Sequence, residues 1–257
     1  MEFVQYRTEA RVGYITLNRP EKRNALNYEV VRQLKLAFER AENDEACKVV
    51  VLEATGDVFC AGADLAYLQT LAQNTYPENL YDSTHLMQLF HQVYTLKKVV
   101  IAQVHGHAIA GGCGLAAVCD LVFSVPTAQF GYTEVKIGFI PAIVSVFLLR
   151  KIGESGTKQL LLTGDLISAE EARQIGLINY VVAPTQLATA VFEFAQKLCR
   201  ENSAQSMELV KEMIYRLPDM NLNQSLPYAA EMNATARGTA DCQRGLKAFL
   251  KKEKFDW

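Results

Sequence analysis

Three stretches of this 257-residue chain hold residue types that could do chemistry together. The first runs from Val104 to Leu115 and carries four glycines in the nine positions Gly106 to Gly114. Glycines let a backbone turn sharply and bring its N–H groups against a ligand. Leu115 to Val118 read as helix, so those N–H groups fall at a helix start, where donors lack partners. The second stretch, Phe59-Cys60-Ala61-Gly62-Ala63-Asp64, is a similar loop that also follows an apolar strand. Together they can offer two N–H donors, at Ala63 and Gly111, to an oxygen that gains charge during reaction. Each such donor is worth roughly 3 kcal/mol in a transition state. The third is Phe130 to Gly138, where Glu134 lies in apolar company. Burial raises a carboxyl pKa into the range useful for moving protons. The alternatives for Glu134 are an ion pair with Lys136 or plain exposure.

Several other chemistries fail on inspection. The glycines match neither the P-loop pattern nor G-x-G-x-x-G. The six cysteines, at 47, 60, 113, 119, 199 and 242, contain no C-x-x-C and fit no zinc spacing. No metal or redox cofactor is called for, because two N–H donors supply the polarisation. A formal net charge of −2 leaves no basic footprint for nucleic acid or anionic membrane. No apolar run is long enough to span a bilayer. Reduced cysteines and an N-terminus without a signal pattern suit a cytoplasmic protein.

The elements that must position these stretches can be read from periodicity. Phe3 to Arg7 and Arg11 to Leu17 alternate as a strand pair. A helix is expected over about 28–43, capped by Asn27. Lys48 to Glu53, Val99 to Val104, Asp120 to Val125 and Ile178 to Val182 read as strands. Residues 66–95 read as helix interrupted near Pro77, and Ser168 to Glu171 as a capping box. From Gln186 onward the pattern is helical, with breaks near Glu201, Pro218 and Gly238. This α/β arrangement divides near residue 200, giving a strand, strand, helix rhythm over 1–200 and a helical region over 201–257.

These pieces, in this order, resemble the crotonase superfamily, the enoyl-CoA hydratase/isomerase family. The matching residues are Asn18-Arg19-Pro20 with Asn24-Ala25-Leu26, Phe59 to Leu65, Ile101 to Asp120, and Ala128 to Gly131 with Glu134. They continue through Leu162 to Asp165, Ala169 to Ala172 with Gly176-Leu177, and Gly245 to Leu250. The resemblance implies a crotonase-type spiral of repeated ββα turns, followed by a C-terminal helical region that makes trimers, often paired as hexamers. It implies a coenzyme A thioester held between the N–H groups of Ala63 and Gly111. Arg23, Ala25, Leu26, Ala61, Asp64 and Leu65 would line the CoA site, Gly114 the acyl pocket, and Lys252 would reach the phosphates of a CoA on a neighbouring subunit. Asp64 could equally cap the following helix.

The chain departs from the family pattern at two places. Hydratases carry two glutamates; Glu134 matches the second, but the first falls at Gly114. The usual Pro-Gly-x-Gly-Gly is replaced by Pro141-Ala142-Ile143-Val144-Ser145. Both departures resemble bacterial members that act on 3-methylglutaconyl-CoA. The expected activity is therefore hydration of a 2,3-unsaturated acyl-CoA, with that substrate as the finer reading. A single-glutamate Δ3,Δ2-enoyl-CoA isomerase is the alternative, and a non-catalytic acyl-CoA-binding scaffold the third. Glu134 itself, or a polar pocket group such as a histidine or a tyrosine, could hold the water that Gly114 cannot; His105 and His107 could reach the pocket, and His85 and His91 could meet a substrate carboxylate.

Overall fold

A computed structural model describes residues 2–253 and 255–257. Its main sheet has six strands: β1 (Val4–Glu9), β2 (Val12–Leu17), β3 (Val49–Ala54), β4 (Val99–Val104), β6 (Leu121–Ser124) and β9 (Tyr180–Val181), in that spatial order. Only the β1–β2 pair is antiparallel; Val12 pairs with Val49, Val49 with Val99, and Ile101 with Leu121, all in parallel. β3 is buried over Val49–Leu52, in keeping with its continuous apolar run, whereas β2, expected to alternate, is buried along its whole length because parallel β3 and antiparallel β1 flank it inside the sheet.

A second, smaller sheet supplies the other half of each turn. It pairs β5 (Ala108–Ile109), β7 (Gln129–Gly131) and β8 (Ile167–Ser168). Two isolated bridges extend the same layer, Cys60 with Ala108 and Leu26 with Ala63. The chain therefore alternates between layers: β2 then Leu26, β3 then Cys60–Ala63, β4 then β5, β6 then β7. This is the expected ββα spiral, and it lines up the glycine loops on one edge.

Helices close the outside. α1 (Tyr28–Asn43) buries Val30, Val31, Leu34, Ala37, Phe38 and Ala41, and the Asn27 side chain accepts the Val30 N–H at 2.9 Å. Replacing the wholly buried Leu34 with alanine would cost about 2–5 kcal/mol. α2 (Leu65–Leu71) and α3 (Tyr76–Thr95) follow. The break lies at residues 72–75, and Pro77 sits in the first turn of α3 beside a Thr75–Glu78 capping box. Pro77 thus starts a helix where the sequence suggested an interruption, because a first-turn residue has no intrahelical N–H hydrogen bond to lose.

The glycine stretch forms α4 (Gly111–Ala117), which begins four residues before the apolar run that suggested it. α5 (Ala142–Thr163) is broken at Gly153, whose φ of 70° and ψ of 179° are not helical. α6 (Ala169–Gln174) carries the Ser168–Glu171 capping box. α7 (Leu187–Glu201) packs on the sheet through Leu187, Val191, Ala195 and Cys199. The tail is α8 (Ala204–Arg216), α9 (Leu222–Gly238) and α10 (Ala240–Lys251), with no strand among its described residues. Trp257 returns to α7, its N–H on the Arg200 carbonyl at 2.8 Å.

Candidate active site

The loop Cys60–Asp64 is held on both sides. Its Cys60 N–H donates to His107 O at 3.2 Å and its Cys60 carbonyl accepts from Ile109 N at 3.0 Å. On the opposite side Leu26 N–H donates to Gly62 O at 2.6 Å, and Asp64 N–H to Leu26 O at 2.8 Å. A trans peptide points its C=O and N–H in opposite directions. With the Gly62 carbonyl turned to Leu26, the Ala63 N–H of the same peptide is aimed away from it. Ala63 is exposed, and its N–H has no partner among the described residues.

The same logic applies at α4. Ala110 has φ 52° and ψ −125°, a conformation that strains a residue with a Cβ by about 1–3 kcal/mol. Its N–H is fixed on Gly131 O at 2.8 Å, and its carbonyl accepts the Gly114 N–H at 3.0 Å. The Ala110 carbonyl therefore points along the helix, and the Gly111 N–H points out of its beginning. The two loops touch here. A Cβ on Gly62 would lie 2.8 Å from Ala110 Cβ and 3.5 Å from Gly111 N, and one on Gly112 would lie 2.2 Å from Cys60 O. Glycines are needed for this approach, which sets the two free N–H groups on adjoining segments.

Glu134 opens a short 3₁₀ turn, Glu134–Ile137, between β7 and α5. Its ion pair with Lys136 does not form: Lys136 reaches Asp165 at 3.2 Å instead. The Glu134 Oε2 is buried and has no hydrogen-bond partner. Burial raises its pKa above the usual carboxylate value, with only its own backbone N–H acting against the rise. The Tyr132 hydroxyl, two residues earlier, is likewise buried without a partner.

The other wall is hydrocarbon. A Cβ on Gly114 would lie 2.3 Å from Val144 Cγ1 and 3.4 Å from Phe90 Cζ. Val144 and Phe90 are themselves buried, so α5 and α3 fill the space beside α4. Gly114, expected to line the acyl pocket, is covered and presents no open face to a ligand.

The remaining expected residues are spread along this edge. Arg23 is exposed at φ 51°, and its carbonyl accepts the Ala61 N–H at 3.0 Å. Ala25 and Leu26 are buried, and the Leu26 N–H and carbonyl are both bonded to the Cys60–Asp64 loop. Leu65 is 78% exposed, an unusual position for a leucine at a helix start. Asp64 takes the capping role that was one of its two expected ones: it caps α2 by accepting Ala66 N–H at 2.9 Å and pairs with Arg19 at 2.6 Å. Lys252 stands exposed after α10 with no ion pair among the described residues.

The histidines are engaged elsewhere. His85 stacks on Tyr28 at 4.2 Å and meets Tyr28 O, while His91 packs edge-on against Tyr215. His105 contacts Gly56 O at 2.8 Å, and His107 accepts the Gln129 N–H at 3.1 Å. Asp120 orders the start of β6, accepting Val100 N–H at 2.7 Å and pairing with Lys211 at 2.6 Å. Arg19 was legible only within the Asn18-Arg19-Pro20 match, and nothing in its spacing announced the Asp64 pair.

The model for enoyl-CoA hydratase/isomerase matches residues 7–257. The chain belongs to the enoyl-CoA hydratase/isomerase family. It is an enzyme of that family, with the crotonase fold. A Thermus thermophilus protein provisionally named an enoyl-CoA hydratase is 43% identical over 95% of this chain and 96% of its own length. The short-chain-enoyl-CoA hydratase of Clostridium acetobutylicum is 32% identical over 96% of this chain and 94% of its own. The enoyl-CoA hydratase structure from Mycobacterium smegmatis superposes with a TM-score of 0.92 at 30% identity, covering 100% of this chain and 99% of that one. Among the described residues no helix is long and apolar enough to cross a membrane.

Proposed function

We propose that this enoyl-CoA hydratase/isomerase family member is a lyase that adds water across, or removes it to form, the 2,3 double bond of an acyl-CoA thioester. One observation carries the reading: the buried, unpartnered carboxylate oxygen of Glu134, in a chain with two free N–H groups on touching loops. The thioester oxygen sits on the Ala63 and Gly111 N–H groups. Water oxygen bonds to C3 as Glu134 takes one of its protons, and the C2–C3 pair moves onto the thioester as an enolate. Glu134 then returns that proton to C2, so H and OH are added and the carboxylate is restored. No metal or redox cofactor takes part. Arg23, Ala61 and Leu65 border the CoA moiety, and the finer substrate proposed is 3-methylglutaconyl-CoA, on the joint departure at Gly114 and Pro141–Ser145.

The filled space beside Gly114 favours a second reading, a Δ3,Δ2-isomerase. One carboxylate suffices to take a proton at one carbon and return it at another. The test follows enoyl-thioester absorbance with crotonyl-CoA, 3-methylglutaconyl-CoA and a 3-enoyl-CoA. Loss with either of the first two supports hydration, gain with the third supports isomerisation, and silence with all three leaves only acyl-CoA binding.

Residues 201–257 serve self-association in this proposal. Leu222, Leu226, Leu246, Phe249 and Leu250 are each more than half exposed in one chain, far from ordinary for five large apolar side chains in about thirty residues. Their burial between copies gives a trimer or a dimer of trimers and places Lys252 near a neighbour's CoA. The expected outcome of light scattering is a mass of three or six chains, lowered by the double change Leu246→Asp, Phe249→Asp. A monomer at micromolar concentration in the unaltered protein would end the idea.

A further inference from the structure

The Tyr132 side chain has no exposed surface at all, yet its hydroxyl has no hydrogen-bond partner. Leaving a buried hydroxyl unsatisfied is costly, so such a group usually meets an ordered water or a ligand. The adjoining buried polar groups narrow what that is. Cys113 of α4 reaches the Tyr132 phenol as a weak side-chain contact as well as through its charge, and Glu134 acts on it through its charge. A thiol is a weak partner, and Cys113 makes no hydrogen bond of proper geometry to Tyr132. Glu134 contributes a second buried oxygen with no partner. Gly114 contributes nothing, since Val144 and Phe90 occupy the space of any side chain there. All four histidines face other groups. Two orphaned oxygens, from residues 132 and 134, are therefore the polar atoms left to hold a water beside the glycine helix.

We propose that the Tyr132 hydroxyl, together with Oε2 of Glu134, holds the water that adds to C3 of the substrate. This rests on the hydratase reading above. Tyr132 orients the water by donating to or accepting from it and does not ionise. Glu134 alone takes and returns the proton. Tyr132 is thus the residue by which this chain manages without a carboxylate at position 114.

Tyr132→Phe keeps the ring and removes only the oxygen. Two rates are measured on both proteins: hydration of the better of crotonyl-CoA and 3-methylglutaconyl-CoA, and exchange of the C2 hydrogens of butyryl-CoA in deuterium oxide. Exchange uses Glu134 and the two N–H groups but adds no water. The expected result is hydration lowered by about 10- to 100-fold, the range for losing one hydrogen bond to a charged or reacting group, with exchange within about twofold of the unaltered enzyme. Equal loss of both rates, or no loss of either, overturns the inference while leaving the hydratase reading in place. An unaltered protein that exchanges but does not hydrate removes both. A crystal structure of the unaltered protein is the independent check. Water bonded to both oxygens supports the inference, and a Tyr132 hydroxyl satisfied by a protein group overturns it.

Discussion

On the α4–α5 side of the site, the place of a Gly114 side chain is taken by Val144 and Phe90, all hydrocarbon and all buried. On the other side, at Tyr132 and Glu134, two oxygens are buried with no hydrogen-bond partner. One wall maximises packing; the other leaves polar atoms unsatisfied. Close packing stabilises a fold, while an unpaired buried polar atom costs about 1–3 kcal/mol. Thr157 and Tyr228 bear the same cost, so it is the company of the free Ala63 and Gly111 N–H groups that makes the 132–134 turn the chemical wall in our proposal and the Gly114 wall its frame.

The sharpest way to break the contrast is at Glu134 itself. Glu134→Gln keeps size and polarity but cannot carry a proton. Turnover on the best acyl-CoA should fall on the order of 10²–10⁴-fold, the usual contribution of a positioned acid or base. CoA binding, set by the loops, should change little, which titration calorimetry with a CoA thioester can measure. A variant that still turns over near the unaltered rate would remove Glu134 from the chemistry.

The packed wall offers a test of intermediate size. Gly114→Glu puts a side chain where Val144 already stands, so it should destabilise the fold by about 1–3 kcal/mol or more from overpacking. The double change Gly114→Glu, Val144→Gly opens that space and should recover most of the loss in a thermal melt. If the single variant is as stable as the parent, the wall is not close-packed and the contrast fails. Once folded, the double variant carries a second carboxylate, and faster hydration of crotonyl-CoA than the parent is expected from it.

That pairing of positions 114 and 144 also shows where reading the sequence stops. α1 and its Asn27 cap, the Ser168–Glu171 capping box and the long strands β2, β3 and β4 were legible, because each is set by residues a few places apart. β5, β7 and β8 were not: two or three residues give no periodicity to read, and they exist because Cys60, Ala108 and Phe130 find partners across the spiral. Ala63, Gly111 and Glu134 could be singled out by residue type and loop context. The filling of Gly114 by Val144 could not, since it joins residues thirty places apart through a contact between α4 and α5. The Arg19–Asp64 pair was hidden for the same reason, and it adds an ion pair to the capping role that was one of the two expected of Asp64. A tyrosine was expected among the water-holding candidates, but not which one, because the unpartnered hydroxyl of Tyr132 is a property of the packed interior.

The smallest expected effect concerns the energetic signature of the chemical wall, and its sign is fixed by the ionisation of Glu134. Burial raises the folded-state pKa of this carboxyl above its ordinary value of 4.5. The folded protein therefore holds the proton more firmly than the unfolded chain does. Below the unfolded pKa both states are protonated, and the contribution to stability is fully present. As pH rises through the folded pKa that contribution is lost, because the fold must then house an unpaired charge. Glutamine at this position does not titrate, and every other ionisable group is shared by the two proteins. The melting temperature of Glu134→Gln minus that of the parent should thus be smallest in acid and grow as pH rises above 4.5, levelling off past the folded pKa. About 2–4 °C for each kcal/mol is the scale for a domain approaching this length, so the direction of the change is readable in thermal melts across pH. A difference that shrinks with rising pH would mean that ionised Glu134 is stabilised by a partner. Both walls would then be satisfied, and the contrast between them would lose its physical basis.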